Sequence, residues 1–114
     1  MKRKATEDSV EAQVQARPEC TVERALAVID GKWTTLLLRD LLSGTKRFGE
    51  LRANLPGISP KTLTDRLRDL ERHGVLTRTV YPEIPPRVDY TLTEKGRALD
   101  SVVSAMAAWG RDWT

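Results

Sequence analysis

Apolar residues recur along this chain with two periods. The first is helical. Val22, Ala25, Leu26 and Ile29 fall at i, i+3, i+4 and i+7, which predicts a helix capped at Thr21 and ended by Asp30-Gly31. A second helix is expected over 33–42, with Trp33, Leu36, Leu37 and Leu41 inward and Ser43-Gly44 closing it. A third, short one covers 48–54 and buries Phe48, Leu51 and Leu55. Leu55-Pro56-Gly57-Ile58 then reads as a turn, because Pro56 biases its predecessor out of the helical region and Gly57 tolerates positive φ. Ser59 caps the next helix, about 59–73, with Pro60 at the first helical position, where its missing N–H costs nothing. Leu63, Leu67 and Leu70 share one face of it, and His73-Gly74 ends it.

The second period is two. Residues 76–81 and 88–92 alternate apolar with polar positions and are rich in β-branched and aromatic types, which predicts a hairpin over 76–92. The segment between them, Pro82-Glu83-Ile84-Pro85-Pro86-Arg87, is too proline-rich for a ladder and reads as a stiff tip. Thr93 caps a last helix, about 94–113, whose stripe runs through Leu99, Val102, Val103, Met106, Trp109 and Trp113. Residues 1–19 are polar and charged and read as a flexible N-terminal arm, with a helical stretch around 10–14. The fold class expected is mainly α with a small β-hairpin wing (α+β). It is a winged helix-turn-helix over 20–114, flanked by N- and C-terminal dimerisation helices.

Composition narrows the function without naming it. The chain has 114 residues, enough for one domain with a modest core. Its net charge of +3 and pI of about 9.3 are only mildly basic, so the placement of charge matters more than its sum. No stretch approaches the roughly 20 apolar residues of a membrane span. The basic start, Met1-Lys2-Arg3-Lys4, is followed by Glu7, Asp8 and Glu11 rather than by a signal peptide's apolar run, so a cytoplasmic protein is expected. A single cysteine, Cys20, and a single histidine, His73, argue against an internal disulfide and a Cys/His metal site. No glycine-rich phosphate loop or nucleophile–histidine framework is present, so neither an enzyme nor a cofactor is expected.

The outer face of the helix from Ser59 carries the candidate chemistry. Ser59, Pro60, Lys61, Thr62, Thr64, Asp65 and Arg68 lie at its start or opposite its leucines, where a recognition helix meets base edges and phosphate in double-stranded DNA. The competing reading is a solvated face with intrahelical ion pairs; the hairpin that follows tips the balance toward DNA. Lys46, Arg47, Arg66, Arg78, Tyr81 and Arg87 are the candidate backbone and wing contacts, although prolines alone would also suit a blunted sheet edge. Val22, Leu26, Leu99, Val102, Val103, Met106, Trp109 and Trp113 make a stripe larger than a small core absorbs, which predicts a homodimer seam; packing within one monomer is the alternative. Cys20, ahead of a helix N-terminus and near Arg17 and Arg24, is a candidate redox sensor, or else an inert thiol at the seam. No residue set marks an effector pocket.

With these residues assembled, the chain resembles the HxlR family of bacterial winged-helix transcription regulators, relatives in fold of the MarR regulators. The resemblance covers about residues 20–110. It rests on Cys20 with Val22-Glu23-Arg24-Ala25-Leu26, on Gly31-Lys32-Trp33, Arg39-Asp40-Leu41 and Arg47-Phe48-Gly49-Glu50-Leu51, and on Pro56-Gly57-Ile58-Ser59-Pro60-Lys61. It continues through Leu63, Arg66-Leu67, Leu70-Glu71, Gly74, Arg78, Tyr81, Pro85-Pro86-Arg87-Val88, Tyr90, Leu92-Thr93, Gly96 and Trp109. The resemblance implies a homodimer on a roughly palindromic operator, paired through its terminal helices, with the helix from Ser59 as recognition helix. It implies activation in some members and repression in others, and in several a cysteine placed like Cys20 that senses oxidants or electrophiles. Thr21 departs from the family, where proline is frequent. A winged-helix module that binds protein instead of DNA is the other class of function this sequence admits.

Overall fold

A computed structural model describes residues 20–114. The arm, with its expected helical stretch, lies outside the described residues. Helix α1 spans Thr21–Ile29, α2 Lys32–Leu41, α3 Phe48–Asn54, α4 Pro60–Arg72, α5 Glu94–Arg97 and α6 Asp100–Trp113. Strands β1, Lys46–Arg47, β2, Leu76–Tyr81, and β3, Arg87–Leu92, form an antiparallel sheet in the order β1-β3-β2. In the hairpin Leu76 faces Leu92 and Tyr81 faces Arg87, and β1 adds Lys46 opposite Tyr90.

The core is leucine-built. Leu37, Leu38, Leu51, Leu63 and Leu70 are fully buried, and Ile29, Leu41, Leu55, Ile58, Leu67, Val75, Leu76, Tyr90, Leu92 and Val103 close around them. The three leucines of α4 thus anchor it between α2 and the sheet. The turn before it needs Gly57, which stands at φ 93°, a region costly for a residue with a Cβ. Gly96 has a different reason. Thr93 N donates to Val75 O at 3.1 Å and Thr93 Oγ1 to Gly74 O at 2.7 Å, which draws the start of α5 onto the end of α4. A Cβ on Gly96 would collide with the Val75 carbonyl.

Several expectations are corrected. Thr21 is the first helical residue of α1, and Cys20 holds the cap position without a side-chain hydrogen bond. On α2 Leu38 is buried, while Leu36 is exposed and Trp33 half-buried, because the sheet and α4 close over the side that carries Leu37, Leu38 and Leu41. Lys46 and Arg47 form a strand, two residues being too short to show a period. Arg87 belongs to β3 rather than to the tip. The terminal helix breaks at 98–99, so its stripe does not stay on one face. Val103 is only 6% exposed and Leu99 packs half-buried against the core, which removes Val103 from the expected seam; Val102, Met106, Trp109 and Trp113 stay exposed. Val22 and Leu26 of α1 are exposed too.

Candidate nucleic-acid interface

The exposed side of α4 begins at its cap. Ser59 Oγ accepts from Thr62 N at 3.0 Å and donates to Thr62 Oγ1 at 2.9 Å, and Pro60 sets the first turn. Ser59, Pro60, Lys61 and Arg68 are exposed; Thr62, Thr64 and Asp65 are half-buried. Lys61 Nζ donates to Asp65 Oδ2 at 2.8 Å, one turn along, while its own side chain stays 85% exposed. That hydrogen bond holds the Asp65 carboxyl below its ordinary range; desolvation opposes it, and the charges of Lys61, Arg66 and Arg68 lower it further.

Thr64 and Arg68 turn toward the hairpin. There they share a cleft of about 450 Å³ with Arg78 of β2, Phe48 and Glu71. Arg68 and Arg78 have no ion-pair partner among the described residues. Two guanidiniums lining one cleft, one from the helix and one from the wing, suit a phosphate backbone, with Glu71 the single acid in its lining. Arg47 stands exposed at the start of α3, 3.9 Å from Asp89, with its N–H donating to Glu50 Oε1 at 2.8 Å.

Three of the expected backbone contacts are occupied elsewhere. Lys46 is drawn inward: its Nζ donates to Asp40 O at 2.8 Å and lies 3.3 Å from Asp40 Oδ1, with the side chain only 17% exposed. Asn54 Nδ2 donates to the same carboxylate at 3.0 Å. Lys46 therefore ties β1 to the end of α2. Arg87 is held in the wing. Its guanidinium lies 4.0 Å from the Tyr81 ring centroid, 3.3 Å from Glu83 and 3.5 Å from Asp89. The Nε contact to Asp89 is an ion pair without hydrogen-bond geometry, so that buried N–H stays unsatisfied. Arg66 pairs with Asp69 at 3.0 Å on the side of α4 that faces α1 and Thr34, away from the cleft. Lys46 and Arg87 serve carboxylates that a turn and a strand bring to them, whereas the Arg66–Asp69 pair, at i,i+3, is of the intrahelical kind that the helix's own spacing offers. Tyr81 is half-buried beneath Arg87. What the tip does present is Ile84, fully exposed between prolines, and nothing in the period-two pattern marks it.

Cys20 is a free, exposed thiol. Among the described residues no cluster of His, Cys, Asp and Glu is arranged to hold a metal, and no helix is long and apolar enough to cross a membrane.

A helix-turn-helix followed by a hairpin wing is also what known proteins of similar sequence share. The model of the HxlR-like helix-turn-helix family matches residues 28–114. An HTH-type transcriptional regulator of Synechocystis is 51% identical over 94 residues, 82% of this chain and 70% of its own length. The redox regulator HypR in its reduced form superposes with a TM-score of 0.78 at 44% identity, over 81% of this chain and 91% of HypR. The reduced transcriptional regulator YodB from B. subtilis gives 0.73 at 41% identity, over 82% and 91%. HypR has also been solved oxidised and YodB treated with diamide. The chain belongs to the HxlR-like helix-turn-helix family and has the winged-helix fold of its transcriptional regulators.

Proposed function

We propose that this protein regulates transcription as a cytoplasmic homodimer that reads an inverted-repeat operator. Helix α4 enters the major groove, with Ser59, Lys61, Thr62, Thr64, Asp65 and Arg68 toward the bases. Arg47 and Arg78 meet the phosphate backbone on either side, and Tyr81 steadies the wing. The carrying observation is the cleft between α4 and β2, where Arg68 and Arg78 converge without a carboxylate partner among the described residues. The exposed apolar side chains of α1 and α6 support pairing of two copies, which would set two recognition helices one helical turn, or a multiple of it, apart.

Retention of source-genome fragments at moderate salt tests this reading, with a Lys61→Ala/Arg68→Ala variant beside the wild type. A few enriched fragments sharing an inverted repeat, lost in the variant, are expected. Uniform weak retention, or none, would favour a protein-binding module.

A thiol response is the second reading. Its support is the exposed Cys20 at the cap of α1, together with the reduced and oxidised forms in which HypR is known. Two Cys20 thiols, or Cys20 and a small thiol, would join as a disulfide, giving two electrons and two protons to an oxidant such as diamide or a peroxide. Oxidation should change operator affinity in the wild type and leave Cys20→Ser unchanged; equal responses would remove Cys20 from the switch.

A further inference from the structure

The far half of the hairpin differs in chemistry from its root. Leu76, Arg78 and Val80 share one face of β2, because side chains alternate sides along a strand. That face is turned to α4: Leu76 is buried in the core, and Arg78 lines the cleft with Arg68. Val80, next outward, is exposed opposite its cross-strand neighbour Val88. Beyond it the chain runs through Pro82-Glu83-Ile84-Pro85-Pro86, and Ile84 projects fully into solvent. The polar groups around Ile84 are engaged. Glu83 N–H donates to Tyr81 O at 2.8 Å, the Glu83 carboxylate lies 3.3 Å from Arg87, and the Arg87 guanidinium lies 4.0 Å from the Tyr81 ring centroid. The tip therefore offers no free cation, and its acid is neutralised by its own arginine.

We propose that Ile84 is an apolar wedge that parts one base step in the minor groove beside the α4 half-site and kinks the duplex there. With α4 in the major groove, as read above and as this inference requires, Arg68 and Arg78 hold the backbone at the root of the wing. Ile84 follows Arg78 by six residues, a reach of up to about 20 Å at roughly 3.3 Å per residue. That is enough to pass one backbone and touch the floor of a groove about 7.5 Å deep.

Isoleucine is among the side chains that can part stacked bases, and Pro82, Pro85 and Pro86 hold it on a backbone of fixed φ, so little freedom is lost on insertion. With Arg87 engaged, the tip gains by removing apolar surface from water rather than by charge. Burial of one isoleucine offsets unstacking only where unstacking is cheap, so the flexible pyrimidine–purine steps, TA or CA/TG, are the ones selected. Operator choice then extends to a step that no hydrogen-bonding side chain reads.

Selection from a pool of random duplexes, run in parallel with the wild-type full chain and Ile84→Ala, tests the wedge. The wild type should enrich a half-site with a pyrimidine–purine step at one fixed distance on its flank; Ile84→Ala should enrich the same half-site without the step. 2-Aminopurine placed at the step should brighten when the wild type binds and stay dim with the variant. At sites that carry the step the variant should bind about tenfold more weakly, and at sites that lack it equally well. Ile84 is fully exposed, so Ile84→Ala should keep the wild-type Tm, and Ile84→Leu should keep both the step and the fluorescence change. A wild-type half-site without a flanking step, a step enriched equally by Ile84→Ala, or the same 2-aminopurine signal with both proteins would overturn the wedge and leave α4 as reader, with a protein partner for the tip. No enriched half-site with either protein would overturn the reading of α4 and the wedge with it.

Discussion

Asp40 gathers Lys46 and Asn54 at the end of α2, and Asp89 holds Arg87 in the sheet, while Arg47, 3.9 Å from Asp89, keeps a side chain 59% exposed. These two carboxylates decide which basic side chains remain available to a ligand. Lys46→Ala removes a largely buried charged donor and leaves Asp40 short of a partner, so it should destabilise the fold by about 1–3 kcal/mol in urea unfolding. Its operator preference should be unchanged. Arg78→Ala should leave stability alone and lower the salt dependence of DNA binding by about one unit of slope. Asp65 gives a prediction in pH. Its folded-state pKa lies below the ordinary 3.8, so the Lys61–Asp65 pair is present above that value and is lost as pH falls through the lowered one. An NMR titration of the Asp65 carboxyl should show a midpoint below 3.8, and Lys61→Ala should move it upward.

Helix α4 depends on three local devices: a capping serine, a proline in the first turn and three inward leucines. Ser59→Ala should cost about 1 kcal/mol by leaving the Thr62 N–H without its acceptor. The wing depends on the junction between α4 and α5. There Gly96→Ala should destabilise by about 1–3 kcal/mol or more, because the obstacle is the Val75 carbonyl, which cannot rotate away as a side chain can. The same change on Gly49, where a Cβ meets nothing, should be nearly silent. Thermal unfolding of the two variants side by side checks both.

The chain's apolar surface divides into a core and a remainder. Val103 belongs to the core, at 6% exposure, while Trp109, six residues further along α6, is 62% exposed and Val22 on α1 is 63%. If two copies pair through α1 and α6, Trp109→Glu should give a folded monomer in sedimentation. Val103→Asp should instead unfold the chain, since it buries an unpaired carboxylate. A Trp109→Glu protein that stays dimeric would place the seam elsewhere. The net charge of +3 is compatible with DNA binding because the placement of charge matters more than its sum: six carboxylates pair with cations among the described residues, while Arg68 and Arg78 line the cleft without an ion-pair partner there.

Wherever a signal was local, the sequence carried it. Helical and period-two spacing marked the helices and the hairpin, Ser59-Pro60 marked the start of α4, and the ordered motifs marked the family. These follow from backbone geometry, which repeats over a few residues and leaves its imprint on neighbours. The rest depended on how the chain folds back on itself. β1 exists only because β3 lies beside it, Leu38 rather than Leu36 turns inward because the sheet closes over that side, and Lys46 is drawn to Asp40 where β1 meets the end of α2, whereas the Arg66–Asp69 pair is of the intrahelical kind the spacing itself offers. Charge can be counted from composition, but whether a cation is free is settled by what the fold brings within about 4 Å of it, where Coulomb attraction and hydrogen bonding become strong.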